Sequence, residues 1–104
     1  MSQYKEGEIY TFKTTGGEEF VAKVTKQHSE GSYDYIEVTS PVSVVHNGQG
    51  LGLLQTLITA DHRQSVKINT NNVLMFCESE ENAKNKYIEL TTGLKLPEKK
   101  LILG

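Results

Sequence analysis

The chain carries a single cysteine, Cys77, among its 104 residues. One thiol excludes an internal disulfide and any multi-cysteine zinc site, and it fits a reducing compartment. Long apolar runs are missing too. No stretch approaches the roughly 20 apolar residues that a membrane-crossing helix needs, and the opening Met1-Ser2-Gln3-Tyr4-Lys5-Glu6 lacks the apolar segment of a secretory leader. A cytoplasmic protein is therefore expected. Positive charge is scarce: 11 Lys and Arg against 13 Asp and Glu give a formal net charge of −2. Such a chain cannot gather a polyanion by its overall field, so duplex DNA is not an expected partner, and any nucleic-acid binding must use a local, assembled surface. Core-forming residues are lean, at 37% hydrophobic against a usual share of about 45–50%. A chain of this length forms one core, and a lean core points to help from an oligomer interface. Internal repeats and low-complexity tracts are absent.

What is present reads mainly as strand. Tyr10 and Phe12 alternate with polar residues from Glu8 to Thr15, the period of a half-buried strand. Gly16-Gly17 then offers the positive φ angles of a two-residue hairpin, which predicts an antiparallel return over Glu18–Gln27 with Phe20, Ala22 and Val24 on one face. His28-Ser29-Glu30-Gly31-Ser32 reads as a loop, followed by an extended run from Tyr33 to His46 that Pro41 interrupts. Proline donates nothing to a ladder, so Ser40-Pro41 predicts a bend, a bulge or an edge. After the loop Asn47–Gly50, Leu51–Thr59 is a further strand of mixed periodicity, ending at a turn over Ala60–Gln64. Val66–Ile68 and Val73–Phe76 are short apolar runs joined by the polar turn Asn69-Thr70-Asn71-Asn72. Ser79 is a candidate N-cap for a helix with Glu80-Glu81 in its first turn, Ala83, Tyr87, Leu90 and Leu94 on one face, and Gly93 as C-cap. After Pro97, Glu98-Lys99-Lys100 leads to an apolar tip, Leu101-Ile102-Leu103, expected to dock on this chain or on a neighbour.

The strand, Gly16-Gly17, strand pattern over Ile9–Lys26 resembles the first half of an Sm domain. Val66–Phe76 resembles its closing signature of apolar run, tight turn and apolar run, the turn here being Ile68-Asn69-Thr70-Asn71-Asn72. Gly17-Glu18-Glu19-Phe20-Val21-Ala22, Ser40-Pro41-Val42, Asn72-Val73-Leu74, Asn85-Lys86-Tyr87 and Leu94-Lys95-Leu96-Pro97 are similar to small Sm-like (LSm) proteins of marine tailed phages, over nearly the whole chain. The resemblance implies a mainly β fold: a small, bent, five-stranded Sm-like (SH3-type) barrel over residues 1–78, with a C-terminal α-helix and tail over 79–104 packed on the same domain. It also implies a homo-oligomeric ring of about six or seven subunits joined strand to strand, with single-stranded RNA bound or chaperoned at the pore. Two family features are replaced. Asn69-Thr70 stands where the closing turn usually has Arg-Gly, and Asp34-Tyr35-Ile36-Glu37 gives no match to Asp-x-Met-Asn. The helix, which usually precedes the first Sm strand, here follows the last.

Candidate RNA-binding residues follow from chemistry and from the resemblance. Asn69, Asn71 and Asn72 carry amide donors and acceptors suited to a base edge, although the same residues are also ordinary turn formers. Tyr35, with His28 nearby, falls where Sm proteins carry a base-stacking residue; the plainer reading is a half-buried strand tyrosine. His62 and Arg63 would form a positive ring if several copies assemble, and otherwise belong to a solvated turn. Gly48, Gly50 and Gly52 lack the following helix and lysine of a phosphate-binding loop. Cys77 with His28, His46 and His62 shows no spacing of nucleophile, base and orienting group, so no enzyme, cofactor or metal is expected. The expected function is a ring-forming Sm-like module binding single-stranded RNA. The alternatives are a ring that acts as a structural or protein-interaction component without RNA, and a monomeric OB- or SH3-like domain.

Overall fold

The computed structural model describes residues 3–30, 33–61 and 63–92. Strand β1 (Ile9–Thr14) pairs antiparallel with β2 (Glu19–Glu30), setting Tyr10 opposite Ala22 and Phe12 opposite Phe20. Their connection is a three-residue loop instead of the expected two. The Thr14 and Gly17 amides donate to the carbonyls of Glu18 and Thr14, each at 2.9 Å, and only Gly17 takes a positive φ, +90°. A left-handed residue at the end of a three-residue loop keeps the two strands in twist-matched register.

β3 (Tyr33–Asn47) pairs with β2 along nearly its whole length, from Phe20 opposite Ser43 to Glu30 opposite Tyr33. His28, Ser29 and Glu30 are thus strand, correcting the expected loop. Their polarity misleads because this part of the ribbon runs beyond the core and is held by cross-strand pairs, His28 with Tyr35 and Ser29 with Asp34. Val21 pairs with Val42 and Lys23 with Thr39, so Ser40 and Pro41 together oppose Ala22. This is the bulge expected at Pro41, with Ser40 at φ +48°. It divides β3 between two partners on its other side: β4 (Gly50–Gln55) pairs with Val42–Asn47, and β5 (Val66–Asn69) pairs with Tyr35–Val38. Leu57 and Ile58 lie past the last β3–β4 pair, exposed in a turn instead of extending the strand. A single 3-10 turn, Thr70–Asn72, leads into β6 (Val73–Glu78), which pairs with β1.

The sheet order is β4-β3-β2-β1-β6, with β5 on β3. The fold is mainly β with a C-terminal helix, and two expectations are corrected: the described residues form six strands, not five, and among them no pairing joins β5 to β6 to close a barrel. The bend in β3 accounts for both, because the two strands after it pair with different halves of β3.

Both faces of the middle strands are buried, so adjacent residues point into different clusters. On one face Tyr10, Phe12, Phe20, Ala22, Val24, Ile36 and Val38 pack together under Tyr4, whose ring lies 4.3 Å from Phe76 and 5.1 Å from Tyr10. Burial pushes the Tyr4 phenol up to about 12, with Tyr10 adding to the shift. On the other face Ile9, Val21 and Val42 meet Tyr87 of helix α1 (Glu81–Thr91). The Tyr87 hydroxyl donates to the Thr39 carbonyl and accepts from the Lys23 amide at 3.2 Å, so the helix is pinned beside the β-bulge. The N-cap is Glu80, whose carboxylate accepts from the Asn82 amide, and not Ser79. Ser79 is instead buried, its hydroxyl 2.7 Å from that of Thr11, a long-range contact that local sequence does not encode. Gly93, Leu94 and the tail lie outside the described residues.

Candidate functional site

The closing turn is built by its own side chains. The Asn69 side-chain oxygen accepts from the Asn71 amide at 2.9 Å, the Thr70 hydroxyl donates to the Asp34 carbonyl at 3.1 Å, and the Asn72 carbonyl accepts from the Thr15 amide at 2.9 Å. Asn69 is therefore engaged as a cap, while Asn71 and Asn72 are exposed. Tyr35 is the direct cross-strand partner of Asn69, so the register brings Tyr35, Asn69, Asn71 and Asn72 to one end of the sheet. The Tyr35 ring stacks on His28 at 4.4 Å. His28 in turn contacts Glu37 at 2.8 Å, and Glu37 also accepts from the Ser65 hydroxyl at 3.1 Å. These two hydrogen bonds, His28 first, hold the Glu37 carboxyl below its ordinary range.

Arg63 stands apart from this group. It precedes Val66, at the opposite end of β5 from Asn69, and its guanidinium binds both carboxylate oxygens of Asp61, at 3.0 and 3.2 Å. That bidentate contact raises the already high pKa of Arg63 and neutralises its charge locally. His62 lies outside the described residues. Among the described residues, no group of three or more His, Cys, Asp or Glu is placed to hold a metal ion, and no helix is long and apolar enough to cross a membrane.

A second feature is broader than the turn. β4 and β6 end the sheet order, each pairing with one neighbour among the described residues; β5 also pairs with one strand, β3, but carries Lys67. β4 reads Gly50-Leu51-Gly52-Leu53-Leu54-Gln55 with no charge, and β6 reads Val73-Leu74-Met75-Phe76-Cys77 before its first charge, Glu78. Leu51, Leu54, Leu74 and Met75 are each 59–73% exposed. Edge strands are normally guarded by lysine, proline or a covering segment, because their free amides and carbonyls template pairing with another chain. Neither edge carries such a guard within its strand, apart from the terminal Glu78. The reading from sequence alone identified these runs as strands but not as edges. The missing charge was the available signal, and only the pairing order shows which strands lie outermost. No protein-family model matches the chain, and no curated protein is significantly similar to it.

Proposed function

We propose that this chain is a ring-forming Sm-like module whose subunits join by pairing the β4 edge of one copy with the β6 edge of the next. The observation that carries this reading is the pair of apolar edges, charged only at Glu78, at the two ends of one sheet order. An interface between two different edges is head-to-tail, and such contacts close into rings when the rotation per subunit allows. Single-stranded RNA is the proposed pore ligand, met by Asn71 and Asn72 with Tyr35 behind them. The amides can hydrogen-bond bases but neutralise no phosphate, so binding should be at most micromolar and only weakly salt-dependent.

The second reading keeps the ring and drops the RNA, leaving a structural or protein-interaction component. It is favoured by the Asp61 carboxylate on Arg63 and by the use of the Asn69 side chain within its own turn. Two measurements test the readings, the first the ring they share and the second the RNA that separates them. Native mass measurement should give about six or seven subunits, and a stable monomer at micromolar concentration overturns the ring. Fluorescence anisotropy with uridine- or adenine-rich strands should then detect binding at low salt, reduced by Asn71→Ala with Asn72→Ala. A ring that binds no RNA at low salt, or equally well in the double variant, leaves the second reading standing.

A further inference from the structure

Between α1 and the β4 end of the sheet runs an open groove of about 710 Å³. Its floor is the outer side of the second core. Val44, Leu53 and Leu90 pack against the cluster around Tyr87 yet stay only partly buried, and Leu51, 73% exposed, carries the apolar surface outward. Its rim is acidic among the described residues: Glu19 from β2, with Glu80 and Glu89 near the two ends of α1, line it against one lysine, Lys86. The Lys86 ammonium lies 3.9 Å from Glu89, which leaves the other two carboxylates in excess. Glu80 accepts from the Asn82 amide, a neutral donor that does not cancel its charge.

Apolar surface of this kind is covered by apolar side chains, and a negative rim favours cations beside them. The spacing fixes the form of the ligand. Glu80 and Glu89 are separated by about 14 Å along α1 at 1.5 Å per residue. An extended chain places side chains i and i+4 on one side about 13 Å apart, with i+1 and i+3 directed to the other. Basic residues at i and i+4 thus match the two glutamates while apolar residues at i+1 and i+3 meet the floor.

We propose that this groove docks a short extended segment of a partner protein with the pattern basic, apolar, any residue, apolar, basic. Apolar burial supplies the attraction, and the carboxylates select the charge of the flanking residues. The segment lies on the face of the sheet beside α1, so docking requires neither the ring nor RNA.

The test is fluorescence anisotropy of the full-length chain with the labelled peptide Lys-Leu-Thr-Leu-Lys and its charge-reversed counterpart Glu-Leu-Thr-Leu-Glu. At low salt the basic peptide should bind at least about tenfold more tightly than the acidic one, a preference that shrinks as salt screens the rim. Glu19→Gln with Glu89→Gln should reduce the preference, and Leu51→Ser, at an exposed position of the floor, should weaken the basic peptide without abolishing its preference over the acidic one. Equal binding of the two peptides overturns the proposal and reduces the groove to an unselective apolar surface. No binding of the basic peptide up to about 1 mM also overturns it; if Glu19→Gln with Glu89→Gln then alters the native mass, the groove belongs to contact between copies. Peptide binding and native mass are separate readouts, so failure of the ring reading leaves this result intact.

Discussion

The middle of the sheet and its two margins use apolar residues in opposite ways. In β2, Val21 and Ala22 are neighbours in sequence and both fully buried, one under the helix and the other in the aromatic cluster. In β4 and β6, Leu51, Leu54, Leu74 and Met75 are as apolar but face solvent. Burial on both faces makes the middle strands sensitive to volume and to polar insertion. At the margins the same residue types contribute little to the folded monomer and are free to contribute to contact between copies. A lean composition thus supports one core and still leaves apolar surface for assembly.

The contrast breaks most sharply at Phe12, which is fully buried and stacks on Phe20 at 4.7 Å. Phe12→Ala should destabilise the protein by about 3–5 kcal/mol in denaturant titration. A loss below about 1 kcal/mol would show that the aromatic cluster is not the main core.

Tyr87 distinguishes the two faces of the middle. Tyr87→Phe keeps the packing against Ile9, Val21 and Val42 but leaves the Lys23 amide and Thr39 carbonyl without the hydroxyl, at a cost of about 1–3 kcal/mol. Hydrogen exchange should show faster opening of α1 while β1 and β2 stay protected. Uniform loss of protection would mean that helix and sheet open as one unit.

The smallest stability effect belongs to the margins. Leu74→Lys with Met75→Lys should change monomer stability by no more than about 0.5 kcal/mol per site, yet lower the native mass to that of single subunits, since lysine on an edge strand opposes pairing. Normal assembly by this variant would move the interface away from β6.

Much of this architecture is legible in the sequence because it is local. The alternation of Tyr10 and Phe12, and of Phe20, Ala22 and Val24, identifies paired half-buried strands, and Pro41 marks the bulge. The turn at Asn69–Asn72 follows from residue type alone. The misreadings share one cause, which is that distant partners decide the outcome. His28–Glu30 are strand because Tyr33–Tyr35 lie opposite them, Ser79 is buried because Thr11 receives it, and β4 and β6 are margins because nothing further pairs with them among the described residues. In the candidate site, the proximity of Tyr35 to Asn69 and the removal of Arg63 to the far end of β5 are likewise matters of register.

The pairing of β1 with β6 has a kinetic consequence. It matches Tyr10 with Glu78 and Thr14 with Val73, whereas β1–β2, β2–β3 and β3–β4 are hairpins between consecutive strands. Closing a long loop costs chain entropy before any contact rewards it, so non-local pairing is expected late. The order predicts φ-values near zero for truncations in β6 and higher ones in β2 and β3. Until β6 arrives, β1 presents an unmatched ladder of its own, and at high concentration the β6 of another molecule can fill it first. Refolding yield should therefore fall as protein concentration rises, through exchange of the last strand between chains.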